Sequence, residues 1–379
     1  MSIPYSRHNI TNEDIKSVVT ALKSGVLTGG QQLTGFETEL SGYVGSKHAV
    51  GVSSGTAGLH LAVEALKTTE NVGKTVLVPS LTFSATANAA LYAGLKIEFV
   101  DIDPTSLLVD IKEIETKLAS SPTKYAGIIA VDFAGMPLDI IKLAKLCKQY
   151  GVWLVDDAAH ALGAASHYGG KMVKVGSGEF ANATVFSFHP AKHITTAEGG
   201  MVTLNDINMA YNLRLLRSHS MDKTTLKSET EGWYYQIDKL GYNYRLSEIH
   251  AALGRSQLKR IQANIERRRE LANRYSEEFS KINVEIPTGE SVSGHAYHLY
   301  IIEVANRKKV YDTLHAKGIL AQVHYVPLHM QPYYRNIVGS IRLPNTEAYY
   351  KKSLSIPMYS TLTDKEQDIV IELVKKSVR

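Results

Sequence analysis

Three groups of side chains in this chain have types and settings suited to chemistry on one ligand: an amine at Lys192, a carboxylate pair at Asp156-Asp157, and a small, hydroxylated run, Ser53-Ser54-Gly55-Thr56-Ala57. Lys192 follows an apolar run, Ala183 to Phe188. That run reads as a short buried strand stopped at Pro190, because proline supplies no N–H to a ladder and restricts the residue before it. Hydroxylated residues come next, then Gly199-Gly200, then a second apolar run from Met201 to Leu204. A lysine in a tight turn between two buried strands is placed to reach into a cleft, and amines in such places form Schiff bases. An ordinary surface lysine is the commoner use of the residue.

The stretch Val155-Asp156-Asp157-Ala158-Ala159-His160 sets two carboxylates at the carboxyl end of a predicted strand, the edge where open α/β sheets bind ligands. One of them is suited to pair with a protonated ring nitrogen, and His160 to hydrogen-bond the same ligand or stack on it. A helix N-cap aspartate and a packed histidine account for these positions equally well. Ser53 to Ala57 falls where a strand becomes a helix, and the unpaired N–H groups and dipole there favour an anion such as phosphate. Ser and Thr also cap helices routinely. The spacing matches neither a P-loop nor a dinucleotide glycine fingerprint. An amine, an acid and a phosphate site are the three groups that pyridoxal 5′-phosphate requires of a protein. Phe83, after Pro79-Ser80-Leu81-Thr82, is positioned to stack on such a ring, although a lone aromatic more often belongs to a core. His189 and His193 are four apart, but Pro190 argues against the helix that would let them share a metal, so none is expected.

The elements that must position these groups alternate along the first half of the chain. A capped amphipathic helix opens at Thr11 and ends near Gly25, and Phe36, Leu40 and Tyr43 mark a second helix. Strands are predicted at His48 to Val52, Thr75 to Pro79, Lys96 to Val100, Gly127 to Asp132 and Val152 to Asp156. Helices are predicted at Leu59 to Leu66, Ser84 to Tyr92, Asp110 to Leu118 and Leu138 to Gln149. Such alternation implies a mostly parallel sheet with helices on both faces. The runs at Thr184 to Phe188 and Met201 to Leu204 are close enough to include an antiparallel pair. Leu246 to Ile282 is helix-compatible throughout, which predicts one long linking helix with a solvated charged face. Strands at Tyr297 to Val304 and Leu320 to Tyr325, with helices near Arg307 to Ala316 and Asp364 to Lys376, complete a smaller α+β unit.

At 379 residues a large domain plus a smaller one is the default. The net charge of +5 is dispersed, without a basic block, so nucleic acid is not an expected partner, whereas a nucleotide-bearing substrate is compatible. The single cysteine, Cys147, excludes an intramolecular disulfide and fits a reducing compartment. The first nine residues lack an apolar core of signal-peptide length and no run of about 18 apolar residues occurs, so a cytoplasmic protein without a membrane partner is expected.

Six stretches stand in order along the chain, within a match that extends from about Ser6 to the C-terminus: Ser54-Gly55-Thr56-Ala57, Pro79-Ser80-Leu81-Thr82-Phe83, Asp156-Asp157-Ala158-Ala159-His160, Phe186 to Gly200, Gly241-Tyr242-Asn243-Tyr244-Arg245 and Val323-His324-Tyr325-Val326-Pro327-Leu328-His329. Together they resemble the DegT-type family of nucleotide-sugar aminotransferases. The resemblance implies a fold-type-I pyridoxal-phosphate aminotransferase. Its large α/β domain, 1–245, would carry a mixed, mostly parallel seven-stranded sheet flanked by helices. A linking long helix and a smaller C-terminal α+β domain would occupy 246–379, and a homodimer would have its active sites at the interface. Carried over by position, Lys192 resembles the Schiff-base lysine, Asp157 the partner of the pyridine nitrogen, and His160 the residue beside the cofactor's phenolic oxygen. Phe83 matches the stacking aromatic. Gly55, Thr56 and Ser187 match phosphate-binding positions, with Ala57 close by, and Asn243 matches a residue reaching the phosphate of the neighbouring subunit. Arg245, His324, Tyr325 and His329 are candidates for the sugar nucleotide or the donor carboxylate, with a core histidine or a structural arginine equally open.

Within the family, Phe188 to Gly200 and Gly318 to Tyr325 most resemble members that aminate the C4 ketone of a UDP-linked 4-keto-6-deoxy-N-acetylhexosamine in pseudaminic acid synthesis. The resemblance implies L-glutamate as donor, 2-oxoglutarate as by-product and a UDP-4-amino-4,6-dideoxy sugar as product. Members acting on a UDP-4-keto-pentose or on dTDP- or GDP-linked sugars share nearly all the cofactor motifs. Related sugar dehydratases carry histidine in place of the lysine; Lys192 in register favours transamination. Lys192 and Asp157 together also argue against a non-catalytic binding or regulatory protein.

Overall fold

The alternating apolar runs pair into one seven-stranded sheet in the computed structural model, which describes residues 2–71, 74–282, 284–287 and 294–378. The first and last residues of the expected domain division lie outside these ranges. The strands are β1 (His48–Val52), β2 (Thr75–Pro79), β3 (Lys96–Val100), β4 (Tyr125–Val131), β5 (Trp153–Asp157), β6 (Ala183–Ser187) and β7 (Gly200–Leu204). Their order is β1-β7-β6-β5-β4-β2-β3. Every pair from β6 to β3 is parallel, while β7 is antiparallel to both of its neighbours, β1 and β6. The antiparallel pair therefore forms, with Gly200 opposite Ser187. Strands β2, β4, β5 and β7 are buried along their whole length, as continuous apolar strands covered on both faces must be. Val76 and Val78 enter one core and Leu77 the other, because successive side chains leave opposite faces of a strand.

Helix α1 (Asn12–Leu22) begins at a capping box made by Thr11 and Asp14, and α2 (Gln31–Val44) follows. Helix α3 (Gly55–Leu66) starts at Ser54, whose hydroxyl accepts the Ala57 N–H at 3.1 Å, and it lies across β1, β5, β6 and β7. Helix α4 (Ser84–Tyr92) begins after Phe83 and packs on α3. Cys147 is buried in the helix Ile140–Tyr150.

The predicted long helix is two helices, Glu248–Leu258 and Ile261–Phe279. Arg260 leaves the helical conformation at φ −108° and ψ 5°, and its guanidinium is held by Asp14 at 2.8 Å. Gln257 reaches the same carboxylate at 2.8 Å. The break coincides with a tertiary contact that local propensity does not encode. The first helix packs on α1 and α2, the second on the C-terminal helix Asp364–Ser377.

The strands expected at Tyr297 to Val304 and Leu320 to Tyr325 are shorter. Tyr300–Glu303 pairs antiparallel with Ser353–Ile356, and Ile319–Leu320 pairs parallel with Ile3–Pro4. Tyr297 sits at φ +47°, outside the β region, which stops the first strand from starting earlier. The pairing of Ile3 with Ile319 draws the N-terminal segment, including Tyr5, over the site described next. Among the described residues no helix is long and apolar enough to cross a membrane.

Candidate active site

Four chain segments deliver functional groups to the carboxyl edge of the sheet. Strand β5 ends at Asp157, β6 ends at Ser187, β1 runs through Ser54 into α3, and β2 runs through Thr82 and Phe83 into α4. They open onto one cavity of about 430 Å³. Ser54, Gly55 and Thr56 line it where α3 begins, and the first amides of a helix have no partner inside it. A Cβ on Gly55 would lie 2.9 Å from Ser187 Cβ, so this wall is closed to any larger residue.

Lys192 lies in a turn fixed by its own backbone. Its N–H donates to His189 O at 2.9 Å, Phe188 N–H donates to Gly199 O at 2.9 Å, and Thr196 N–H donates to Phe188 O at 3.0 Å. The hydroxylated residues have local work: Thr195 donates to Phe188 O at 3.1 Å and Thr196 to Glu198 O at 2.7 Å. From the far end of the sequence, Ser6 donates to Ala191 O at 3.0 Å. Lys192 lines the cavity, and burial pulls its ammonium down to about 8 against the opposing attraction of Asp157. Asp157 is pushed up by burial, while Thr86, the Ala159 N–H and Lys192 favour its charged form. Thr86 donates to Oδ2 at 2.7 Å and Ala159 N–H to Oδ1 at 3.2 Å. Asp156 does not line the cavity. It accepts from Thr184 at 3.3 Å, and burial with the neighbouring Asp157 charge pushes it up.

His160 is buried, with Nε2 3.2 Å from the Tyr325 hydroxyl and Nδ1 lacking a protein partner. Burial, helped by Lys192, His324 and His193, holds its titration well below the usual histidine range, so the ring is neutral. His298 packs against it with ring centroids 4.3 Å apart. His324 also faces the cavity. Its Nδ1 lies 2.9 Å from Ser355 Oγ, and burial and Lys192 lower it to about 4.

The structure thus brings together Lys192, Asp157, His160, Gly55, Thr56, Phe83, Ser187, His324 and Tyr325. Ala57 lies one residue behind, its amide used by the Ser54 cap. Phe83 is exposed at the mouth, 6.0 Å from Tyr325 between ring centroids. His329 is elsewhere, buried with Nδ1 2.7 Å from Ser80 Oγ. Asn243 is exposed and Arg245 bridges to Val52, and neither lines this chain's own cavity. Sequence reasoning missed Tyr5, Thr86 and His298, and took Thr82 only as part of the run before Phe83. Only the threonines left a local signal, two hydroxyls four residues apart just after a strand end; Tyr5 and His298 arrive through contacts distant in sequence.

The model of the DegT/DnrJ/EryC1/StrS aminotransferase family matches residues 8–375. The chain is 40% identical, over 99% of both sequences, to a UDP-4-amino-4,6-dideoxy-N-acetyl-beta-L-altrosamine transaminase of Campylobacter jejuni. It is 35% identical to the spore coat polysaccharide biosynthesis protein SpsC of Bacillus subtilis, over 100% of this chain and 97% of that one. Among solved structures, Helicobacter pylori PseC, an aminotransferase involved in the biosynthesis of pseudoaminic acid, superposes with a TM-score of 0.90 at 31% identity, covering 100% of this chain and 99% of that one. Spr1654 of Streptococcus pneumoniae, in its PLP-form, superposes with a TM-score of 0.87 at 29% identity, covering 100% and 99%.

Proposed function

The chain belongs to the DegT/DnrJ/EryC1/StrS aminotransferase family, and on that premise we propose that it transfers the amino group of L-glutamate to the C4 ketone of a UDP-linked 4-keto-6-deoxy-N-acetylhexosamine. The product is then a UDP-4-amino-4,6-dideoxy sugar of the pseudaminic acid type. One observation carries the reading of the chemistry: Lys192, Asp157 and the start of α3 open onto a single cavity. The choice of sugar rests on the named relatives. Pyridoxal 5′-phosphate is the cofactor, and the residues present fit it. Gly55 leaves room beside Ser187 at the helix start, His160 Nδ1 is a buried nitrogen without a protein partner, and Asp157 faces an amine rather than a second acid.

Bound pyridoxal phosphate supplies a carbonyl carbon that couples to amines and a ring that takes up the electron pair released when a neighbouring C–H bond breaks. The chain's own groups do the rest. Gly55, Thr56 and Ser187 hold the phosphate, where helix amides and the dipole favour an anion. Asp157 holds the ring nitrogen protonated, and Phe83 covers a ring face. Lys192 Nζ, brought to about 8, would be free enough near neutral pH to take a proton from the donor's α-carbon and to release it again. It moves the proton the opposite way for the sugar. His160 stays neutral and orients without competing for that proton.

To the same reading belong a cytoplasmic setting and a homodimer in which the partner subunit's Asn243 completes the phosphate site. So does a division at 245/246, although the C-terminal core itself is made of Ile3 and residues from Leu271 onward, and Leu246 to Ile265 pack with the large unit. Arg245, His324, Tyr325 and His329 remain the proposed contacts to the substrates; His329 would have to act from behind Ser80. The test is incubation with glutamate and a panel of UDP-, dTDP- and GDP-linked 4-keto sugars, read by mass spectrometry. Amination of the UDP-linked N-acetylhexosamine above the others is expected. A deoxygenated product, or turnover of another sugar alone, overturns the assignment.

A further inference from the structure

Behind Asp157 runs a chain of two hydroxyls. Thr86 Oγ1 lies 2.7 Å from Asp157 Oδ2, and Thr82 Oγ1 lies 2.6 Å from Thr86 Oγ1. Both threonines are buried, Thr86 completely. An ionised carboxylate only accepts, so Thr86 donates to Asp157. With its one proton committed, Thr86 accepts from Thr82. The direction of the chain is therefore set by the charge on the acid.

A threonine inside a helix commonly turns its hydroxyl back to the carbonyl one turn earlier. Thr86 does not. Its hydroxyl leaves α4 for a carboxylate on β5, 71 residues away, and it meets Thr82 through the side chain. Thr82 lines the cavity, and Phe83 stands between the two threonines at the start of α4. The same five residues thus carry the aromatic at the cavity mouth and the donor that grips the acid at its floor.

We propose that Thr86, backed by Thr82, is a positioning residue that keeps the Asp157 carboxylate ionised and aimed at the cofactor's ring nitrogen, in register with Phe83. The proposal rests on the reading of Asp157 given above. The charge on Asp157 fixes who donates to whom, and the remaining grip on Asp157 is the Ala159 N–H at 3.2 Å on the other oxygen. Losing Thr86 leaves one carboxylate oxygen buried without its donor.

Thr86→Val keeps the side-chain shape and removes the hydroxyl, and Thr86→Ser restores it. Pyridoxal phosphate titrated into cofactor-free protein and followed by its fluorescence should bind Thr86→Val more weakly on the order of tenfold, with Thr86→Ser within about twofold of the parent. Thr82→Val, which removes only the distal link, should fall between. Binding by Thr86→Val as tight as the parent's overturns the proposal, as does Thr86→Ser binding as weakly as Thr86→Val. Should Thr86→Val fail to fold, Thr82→Val decides: weaker binding supports the chain and unchanged binding overturns it. Asp157→Asn separates the two readings. Weak binding there with normal binding in Thr86→Val removes the hydroxyl chain alone, and normal binding in Asp157→Asn removes the role of Asp157 itself.

Discussion

Replacing Asp157 with asparagine should make Lys192 more reactive while making the enzyme less active. Burial brings Lys192 to about 8, and the Asp157 carboxylate is the attraction that keeps it from falling further. Near pH 7 about a tenth of Lys192 side chains then hold a free amine, against a few in about ten thousand for a solvated lysine. Asp157→Asn removes the nearby negative charge and lowers the lysine again. The gain in free amine cannot exceed about tenfold, because a tenth is free already. Transamination should drop over the same substitution, since the ring nitrogen loses its anionic partner. The assay is brief labelling of cofactor-free protein with an amine-directed acylating reagent across a pH series, with label on the Lys192 peptide counted by mass spectrometry and exposed lysines of the same digest as standards. A midpoint near 8 in the parent and a lower one in the variant are expected. A parent midpoint at the ordinary lysine value, or slower labelling in Asp157→Asn, would refute the argument.

Gly55→Ala should weaken cofactor binding on the order of tenfold with unchanged circular dichroism, because the new methyl lies 2.9 Å from Ser187 Cβ beside the phosphate-binding amides. Asp14→Asn should cost about 2–4 kcal/mol in urea unfolding near neutral pH, since it breaks a buried carboxylate's contacts to Arg260, Gln257 and the Thr11 N–H. Burial raises Asp14, but Arg260, Ser256 and Thr11 outweigh it and hold the carboxyl at about 2. Its stabilisation is therefore complete above the ordinary carboxylate value and fades as pH falls through about 2, where parent and variant should converge. Gly127→Ala should lower the melting temperature sharply, by more than Gly55→Ala does. Its Cβ would lie 2.0 Å from Trp153 Cδ2 on the neighbouring strand, and a buried indole has little room to yield.

Much of this molecule is legible from neighbours along the chain. The ends of β5 and β6, the Ser54 cap and the Thr11–Asp14 capping box follow from periodicity and from side chains bonding backbone within three residues. So does the placing of Asp157 and of the Lys192 turn at one sheet edge, because parallel strands with crossover helices present their carboxyl ends together. The same local evidence misled where packing overrode it. Residues 246–282 favour a helix at every step, yet Arg260 breaks away where it meets Asp14. The predicted strand at 297–304 loses its start to the positive φ of Tyr297.

The sequence determined which groups could do the chemistry, because residue type and spacing along strands and helix starts are local properties. Only the tertiary structure decided their state and their company. Lys192 is brought to about 8 by burial in a cavity whose walls come from residues as distant as Tyr5 and Tyr325. His160 is kept neutral among Lys192, His324 and His193 and bonded to Tyr325, and Asp157, at a strand end, is gripped by a threonine on helix α4. Desolvation and hydrogen-bond direction depend on what the whole chain packs around a group, and no window of neighbouring residues contains that information.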